Sequence, residues 1–174
     1  RFRTNKAFAL LEGKPLIYFV AKVLTRVTDE LIISIARSDK PGKYSSAVGR
    51  KVRVVADKLE NAGPIAGLLS SFSAANGTYV AVAPCDTPFI RPELYDLLFE
   101  KAGGKDGAVP KIGRYQEPLL AVYKREPMIR AIKTVLAEGK GRVANTYKYL
   151  TIAYVGADEI RKIDASLKLF TNIN

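Results

Sequence analysis

The chain has 174 residues, of which 48% are hydrophobic and 26% charged, a composition that fits one globular domain with a sizeable core. Its formal net charge is +11, and it contains one cysteine and no histidine. These counts exclude histidine acid–base catalysis, a Ser-His-Asp triad, a conventional zinc site built from this chain alone and an internal disulfide.

The excess of Lys and Arg favours anionic partners. These residues are spread along the chain, and no basic motif interleaved with aromatic residues is present, so we expect a nucleotide or phosphate site and no nucleic-acid partner. The longest apolar run is far shorter than the roughly 20 residues that a spanning helix needs, so no membrane partner is expected. A single cysteine fits a reducing compartment, and we expect a cytoplasmic protein.

The first half of the chain alternates helical and strand patterns. Proline suits the first helical position, and apolar residues recur at helical spacing after Pro15, so a helix is predicted to begin at Lys14-Pro15. The next predicted elements are a strand at 30–36, a polar and mobile loop at 37–50, a strand at 51–56 and a helix from Gly63 to about residue 76.

The second half continues this alternation. The predicted elements are a strand at 78–83, a helix from Arg91-Pro92 to 103, strands at 107–110 and 118–123, a helix at 126–137, a turn at 139–142, a short helix, a strand at 151–155 and a tail at 170–174. Strands separated by helices indicate a single α/β domain over residues 1–174. We expect three layers, with helices on both faces of a mainly parallel, mixed sheet.

Two carboxylates directly follow apolar strands. Asp57 follows the strand at 51–56, and Asp86 lies in the loop Pro84-Cys85-Asp86-Thr87 after the strand at 78–83. If these strands are parallel, both carboxylates lie on the edge of the sheet where α/β proteins bind ligands. Asp86 fits a Mg²⁺ ligand, since Mg²⁺ takes only one or two protein carboxylates, and it equally fits a turn or the cap of the next helix.

Other residues allow a binding role and a structural role. Lys6 fits a phosphate-clamping lysine or a surface lysine. The glycines at Gly63 and Gly67 permit close approach to an anion or a tight turn before a helix. Cys85 has no histidine to activate it, so it is interpreted as a packing residue.

Two further positions could contact a second substrate or a phosphate. The segment Gln116-Glu117-Pro118-Leu119 leads into a predicted strand and offers polar contacts to a second substrate. Arg142 could bind a phosphate, although surface charge is the favoured interpretation.

Five segments together resemble one family. RFRTNKAFALLEGKPLI, DKLENAGPIAG, PCDTPFI, QEPLLAVY and FTNIN, in this order and at these spacings, resemble the molybdenum cofactor guanylyltransferases, a branch of the sugar-nucleotidyltransferase-like enzymes. PCDTPFI with GPIAG upstream is specific to that branch, whereas Arg-Phe-x-x-x-Lys is shared by many nucleotidyltransferases. The resemblance implies a Rossmann-like nucleotidyltransferase fold.

The family pattern also extends beyond both ends of this chain. It has a strand and a Leu-x-Gly-Gly-x-Ser-x loop before the position of Arg1, and it continues after Asn174. We therefore expect a domain truncated at both ends relative to the family, without the first strand and the glycine-rich loop.

The resemblance implies a role for each matching position. Lys6 contacts the nucleotide phosphates and Asp86 binds Mg²⁺, so these two are the implied catalytic residues. The implied nucleotide-binding residues are Arg1, Lys6, Asp57, Gly63 and Asp86. Candidates for the pterin substrate are Gln116, Pro118, Arg142, Asn172 and Asn174, and Asn174 is also a candidate metal ligand.

The implied reaction transfers GMP from GTP to the phosphate of molybdopterin, with release of pyrophosphate and with Mg²⁺ as cofactor. The implied protein partners are molybdoenzymes or cofactor-insertion proteins. Two positions depart from the pattern: Arg3 replaces a usual glycine, and Ala36 replaces an asparagine linked to base recognition. The alternatives are a transferase that uses CTP or another phosphorylated acceptor, and a nucleotide-binding homologue without turnover.

Overall fold

Helices and strands alternate along the computed structural model, which describes residues 5–49, 52–57, 59 and 63–173. The helices are α1 (Leu16–Val27), α2 (Pro41–Val48), α3 (Pro64–Ala74), α4 (Pro92–Ala102), α5 (Arg125–Ala137) and α6 (Ala157–Arg161). The strands are β1 (Leu10–Leu11), β2 (Lys14–Pro15), β3 (Ile32–Ile35), β4 (Arg53–Ala56), β5 (Tyr79–Val82), β6 (Gly107–Ile112), β7 (Tyr115–Gln116), β8 (Ala121–Lys124) and β9 (Ile152–Gly156). Short 3-10 helices span Lys6–Phe8, Val143–Tyr149 and Lys168–Phe170.

The strand pairings are mixed, as the sequence predicts, but four of the six described pairings are antiparallel, so the expectation of mainly parallel pairing is wrong. β3 pairs with β4, and β6 pairs with β9, both in parallel. β8 lies antiparallel between β5 and β6, while β7 folds back on the end of β6. β1 and β2 form a separate hairpin.

The alternation of side chains along the central strands builds a core on each face of the sheet. Ala108 and Val122 pack with α1 and α4 on one face, whereas Val109, Ala121 and Tyr123 pack with α3 and α5 on the other. Successive residues of a strand point to opposite faces, so one run of apolar residues serves both cores. The predicted three-layer α/β architecture is confirmed.

A cavity of about 1000 Å³ separates β3 from β5. Its walls are mainly apolar and come from α1, α3, β3 and β5, with Asn5, Asp39 and Tyr44 also lining it. Within the described residues, β3 pairs only with β4, and β5 only with β8. The facing edges of β3 and β5 are therefore not hydrogen-bonded to each other.

The predicted mobile loop at 37–50 is wrong, because helix α2 occupies Pro41–Val48. Proline stands at its start, and Gly49 ends it with φ +70°. Tyr44 and Val48, four residues apart, bury one face of the helix in a cluster with Ile33 and Ile35. Two apolar residues in a polar segment were too weak a periodic signal, although the proline and glycine at its ends are typical of a helix.

Smaller differences concern element ends. The first long helix begins at Leu16 rather than at Lys14-Pro15, because Pro15 is extended and pairs with Leu10 in the hairpin. The short helix after residue 142 is of the 3-10 type, and α6 and the 3-10 helix Lys168–Phe170 were not predicted. None of the described helices combines the length and apolar character that crossing a membrane requires.

Candidate functional site

The ends of β3, β4 and β5 meet at one edge of the molecule. Asn5 Nδ2 donates to Asp39 Oδ2, four residues after β3, at 3.0 Å. The adjacent Lys6 Nζ lies 3.7 Å from Asp86 Oδ2, in the loop after β5. β4 runs parallel to β3, so Asp57 at its end lies at the same edge, as the sequence predicts.

A closed turn presents Asp86. Thr87, which is buried, donates its hydroxyl to the carbonyl of Pro84 at 2.9 Å. Helix α4 begins after Arg91 and has no side-chain cap, so the alternative in which Asp86 caps this helix is wrong. The Asp86 side chain is 17% exposed and faces the ammonium of Lys6, which is 43% exposed. This is a carboxylate held at an open edge next to a cation.

The carboxyl-terminal tail is attached to the same loop. The backbone N–H of Ile173 donates to the carbonyl of Asp86 at 2.9 Å. Leu169 anchors the tail in the core, and its N–H donates to Asp164 Oδ2 at 2.9 Å. Lys168 Nζ lies 4.3 Å from the ring centroid of Phe89, in the Asp86 loop. The tail therefore brings the exposed Asn172 to the site.

Two predicted site residues, Arg1 and Asn174, lie outside the described residues, as does the departure at Arg3.

The residues around Asp86 fit a magnesium ion. Within the described part of the chain no group of three or more acidic, cysteine or histidine residues could enclose a metal. Mg²⁺ needs no such cage, because it takes one or two carboxylates and completes its shell with water and phosphate oxygens. The ammonium of Lys6 beside Asp86 shows that this position accepts a positive charge. Asp86 is the residue that would hold the ion.

Asp57 is fixed by a contact that the sequence reasoning missed. The Ser34 hydroxyl donates to Asp57 Oδ1, and the backbone N–H of Asp57 donates to the Ile35 carbonyl at 2.9 Å. A Cβ at Gly67 would lie 3.1 Å from Ser34 Oγ and 3.5 Å from Asp57 Oδ1. Gly67 thus lets α3 approach this pair closely. The signal for Ser34 was a polar residue between Ile33 and Ile35 in an alternating strand.

Gly63 forms the turn before α3. Its φ of +66° lies in the region that favours glycine. The backbone conformation therefore accounts for a glycine here.

The described pterin candidates lie in three places, of which the tail with Asn172 is one. Gln116 and Pro118 precede β8, whose first residue Ala121 pairs with Val82 at the end of β5, so both lie beyond that end. Gln116 Nε2 donates to the Tyr154 hydroxyl at 3.3 Å, and the Pro118 carbonyl accepts from the Tyr123 hydroxyl at 2.8 Å. Burial raises the pKa of the Glu117 carboxyl between them. Arg142 is exposed at the start of the 3-10 helix Val143–Tyr149, and no described hydrogen bond or ion pair links its side chain to the other candidates.

Cys85 packs beside the site rather than acting as a nucleophile. It contacts the cluster built on β3 and α2. Burial is the main cause that raises the pKa of its thiol, the negative charge of Asp86 raises it further, and Lys6 opposes this rise. At neutral pH the thiol stays protonated, which agrees with the interpretation of Cys85 as a packing residue.

Alkylation of Cys85 should therefore report the charge at Asp86. We expect iodoacetamide to modify Cys85 more slowly at pH 8 than it modifies free cysteine, because the raised pKa leaves little thiolate. Asp86→Asn removes a negative charge and should increase the rate. Asp96→Asn, on the exposed face of α4, should leave the rate unchanged. A thiol in the unmodified protein that reacts as fast as free cysteine would contradict this account.

Comparisons with known proteins agree on one group. The family model described as "MobA-like NTP transferase domain" matches residues 1–149. The probable molybdenum cofactor guanylyltransferase of Methanosarcina acetivorans is 34% identical over 98% of this chain and 78% of its own length. The protein of the same description from Natronomonas pharaonis is 31% identical over 98% of this chain and 84% of its own.

Solved structures give the same fold. Molybdopterin-guanine dinucleotide biosynthesis protein A from Archaeoglobus fulgidus has a TM-score of 0.82 at 26% identity, and the match covers 99% of this chain and 85% of that one. The 2-C-methyl-D-erythritol 4-phosphate cytidylyltransferase from Thermus thermophilus has a TM-score of 0.70 at 17% identity over 97% and 87% of the two chains. This second likeness extends to the fold alone.

Proposed function

We propose a guanylyltransferase function from one premise: the chain belongs to the MobA-like NTP transferase domain family. It transfers GMP from GTP to the phosphate of molybdopterin and releases pyrophosphate. The observation that carries the proposal is the Lys6 ammonium 3.7 Å from the Asp86 carboxylate, at the open edge where β3, β4 and β5 end. A fixed cation and a carboxylate that can hold a metal ion both favour nucleotidyl transfer, and the Lys6–Asp86 pair supports these two roles.

The reaction itself requires little chemistry from the protein. An oxygen of the acceptor phosphate attacks the α-phosphorus of GTP, the bond from that phosphorus to the bridging oxygen breaks, and pyrophosphate leaves with the electron pair. The acceptor phosphate is ionised near neutral pH, so no general base is needed, in agreement with a chain without histidine. Catalysis therefore depends on positioning and charge.

Lys6 supplies one of these charges. Its ammonium is paired with Asp86 and its side chain is 43% exposed, so the ammonium can turn towards a phosphate at the edge. Mg²⁺, when bound at Asp86, would neutralise charge on the phosphates. A cation on Asp86 would also release the Lys6 ammonium to the phosphate oxygens. The net charge of +11 favours the approach of two anionic substrates.

The nucleotide and the acceptor are assigned to different parts of the edge. Asp57, held by Ser34 at the end of β4, is proposed to contact the guanine nucleotide, with Gly63 at the start of α3. Gln116, Pro118 and Asn172 are proposed to contact the pterin, because they lie beyond β5 or on the tail bonded to Asp86.

Other assignments belong to the same proposal. The truncation at both ends relative to the family pattern stays a prediction, and among the described residues the edges of β3 and β5 that face the cavity are not hydrogen-bonded to each other. Arg1 stays a candidate for contacts with the nucleotide, and Asn174 stays a candidate for contacts with the metal ion or the pterin. Arg142 stays a weaker candidate for the pterin. We propose a cytoplasmic location and delivery of the product to molybdoenzymes or cofactor-insertion proteins.

A nucleotide comparison tests the proposal. Pyrophosphate release would be measured with molybdopterin, Mg²⁺ and each of GTP, CTP, ATP and UTP. We expect kcat/KM for GTP to exceed the others by at least about tenfold, which corresponds to about 1.4 kcal/mol of selective transition-state stabilisation. A preference for CTP would contradict the assignment of GTP and favour the alternative of a transferase that uses CTP. Nucleotide binding without pyrophosphate release would contradict the enzymatic proposal.

A further inference from the structure

Asn5, immediately before Lys6, lies in a closed set of hydrogen bonds. Its amide nitrogen donates to Asp39 Oδ2 at 3.0 Å and to the Tyr44 hydroxyl at 2.6 Å. The Tyr44 hydroxyl in turn donates to Asp39 Oδ2 at 2.6 Å. We call Asn5, Asp39 and Tyr44 the Asn5 triangle. Its members come from three segments: the residues before the first 3-10 helix, the loop after β3, and α2.

The triangle is anchored in the core through Tyr44. This residue is 4% exposed, and its ring centroid lies 4.8 Å from that of Phe8. Burial and the neighbouring Asp39 carboxylate raise the pKa of the Tyr44 hydroxyl, so it remains a hydrogen-bond donor at neutral pH. A buried hydroxyl held between an amide and a carboxylate has a single favourable arrangement.

The other end of the Asn5 side chain fixes the backbone around Lys6. Asn5 Oδ1 accepts a hydrogen bond from the backbone N–H of Ala7 at 3.1 Å and so caps the 3-10 helix Lys6–Phe8. Lys6 lies between Asn5, whose side chain accepts this hydrogen bond, and Ala7, whose N–H donates it. Ala7 itself is buried against the core, which leaves Lys6 little freedom except in its side chain.

We propose that the Asn5 triangle is a positioning device that directs Lys6 towards the phosphates at the Asp86 edge. A lysine side chain is a flexible stem with a point charge, so the direction in which it leaves the backbone decides where the ammonium acts. Fixed charges stabilise a transition state most when no reorganisation is needed. The inference rests on the proposed function, because it assigns to these three residues the task of positioning Lys6 for catalysis.

Tyr44→Phe is the variant of choice, since it keeps the buried ring and removes only the hydroxyl. We expect kcat/KM for GTP to fall about tenfold, less than the roughly 10²-fold loss that a misplacement of about 1 Å can cause. Asn5→Ser, which keeps an oxygen to cap Ala7, should retain more activity than Asn5→Ala. The matched control is Tyr18→Phe on α1, because no described hydrogen bond involves the Tyr18 hydroxyl. The activity of this control variant should be unchanged.

The decisive measurement repeats Tyr44→Phe in a Lys6→Ala background. If the triangle acts through Lys6, Tyr44→Phe should cause no further loss of kcat/KM in a protein that already carries Lys6→Ala. The same cost in both backgrounds would overturn the inference and leave the proposed function standing. If Lys6→Ala alone leaves turnover unchanged, the role of Lys6 in the proposed function is wrong and the inference falls with it. If turnover of Lys6→Ala is too slow to measure, the dissociation constants for GTP of the four proteins (unmodified, Tyr44→Phe, Lys6→Ala and the double variant), measured by calorimetry, give the same comparison.

Discussion

Replacing Asp86 with asparagine should abolish Mg²⁺-dependent pyrophosphate release from GTP. The change keeps the shape of the side chain and removes the charge that would hold the metal ion. A metal ion contributes several kcal/mol of charge stabilisation, and a loss of about 4 kcal/mol lowers kcat roughly 10³-fold. The measurement is pyrophosphate release as a function of Mg²⁺ concentration, with GTP and molybdopterin both saturating.

The fold should survive this substitution. The Lys6–Asp86 pair is partly exposed, and such ion pairs contribute only about 0–1 kcal/mol to stability. The thermal midpoint of Asp86→Asn should therefore stay close to that of the unmodified protein. Asp96→Asn makes the same chemical change at an exposed position of α4 and should keep full activity. Mg²⁺-dependent turnover that persists in Asp86→Asn would remove Asp86 from the proposed metal site.

The sequence predicted the Asp86 edge because the relevant signals are local. An apolar run that ends at an aspartate marks both the strand and the side chain beyond it, so Asp57 and Asp86 were assigned to one edge. The structure adds Ser34 to this edge through its contact with Asp57. That contact joins residues 23 positions apart, and strand alternation alone does not predict which carboxylate a polar side chain meets.

The Asn5 triangle and the tail depend on longer separations. Asn5 bonds to residues 34 and 39 positions away, and one of them lies on α2, a helix that the polar composition of its segment concealed. The tail reaches Asp86 because Leu169 fills a place in a core built from α1 and α4. Only the family pattern linked the tail to the site beforehand. Long-range packing of this kind has no periodic signal in the sequence.

Sheet order illustrates the same limit. Strands at 107–110 and 118–123 were predicted from short apolar runs, and both exist as β6 and β8 with shifted ends. In the structure β8 lies antiparallel between β5 and β6. This order depends on pairing between residues far apart in the sequence, which local patterns do not encode. The sequence predicts Gly107 only as the first residue of a strand. In the structure it pairs with Tyr123 on one side and Ile152 on the other.

Gly107→Ala should consequently be among the most damaging single-methyl changes in this chain. An added Cβ would lie 2.7 Å from the Val122 carbonyl oxygen and 2.7 Å from Tyr123 Cδ1, both in the paired and buried strand β8. Overpacking of this kind costs about 1–3 kcal/mol. For a chain of this size we expect a thermal midpoint roughly 2–12 °C lower, measured by calorimetry or circular dichroism.

The same substitution at Gly42 should have the opposite sign. Gly42 lies in α2, and among the described residues, apart from its chain neighbours and the helix's own backbone, no atom lies within 4 Å of an added Cβ. Because glycine in a helix is about 0.5–1 kcal/mol less favourable than alanine, Gly42→Ala should raise the midpoint slightly. A Gly107→Ala protein as stable as the unmodified one would mean that β6 and β8 are not packed as closely as described. Opposite shifts at Gly107 and Gly42 would attribute the cost to the crowded strand pairing rather than to the loss of a glycine.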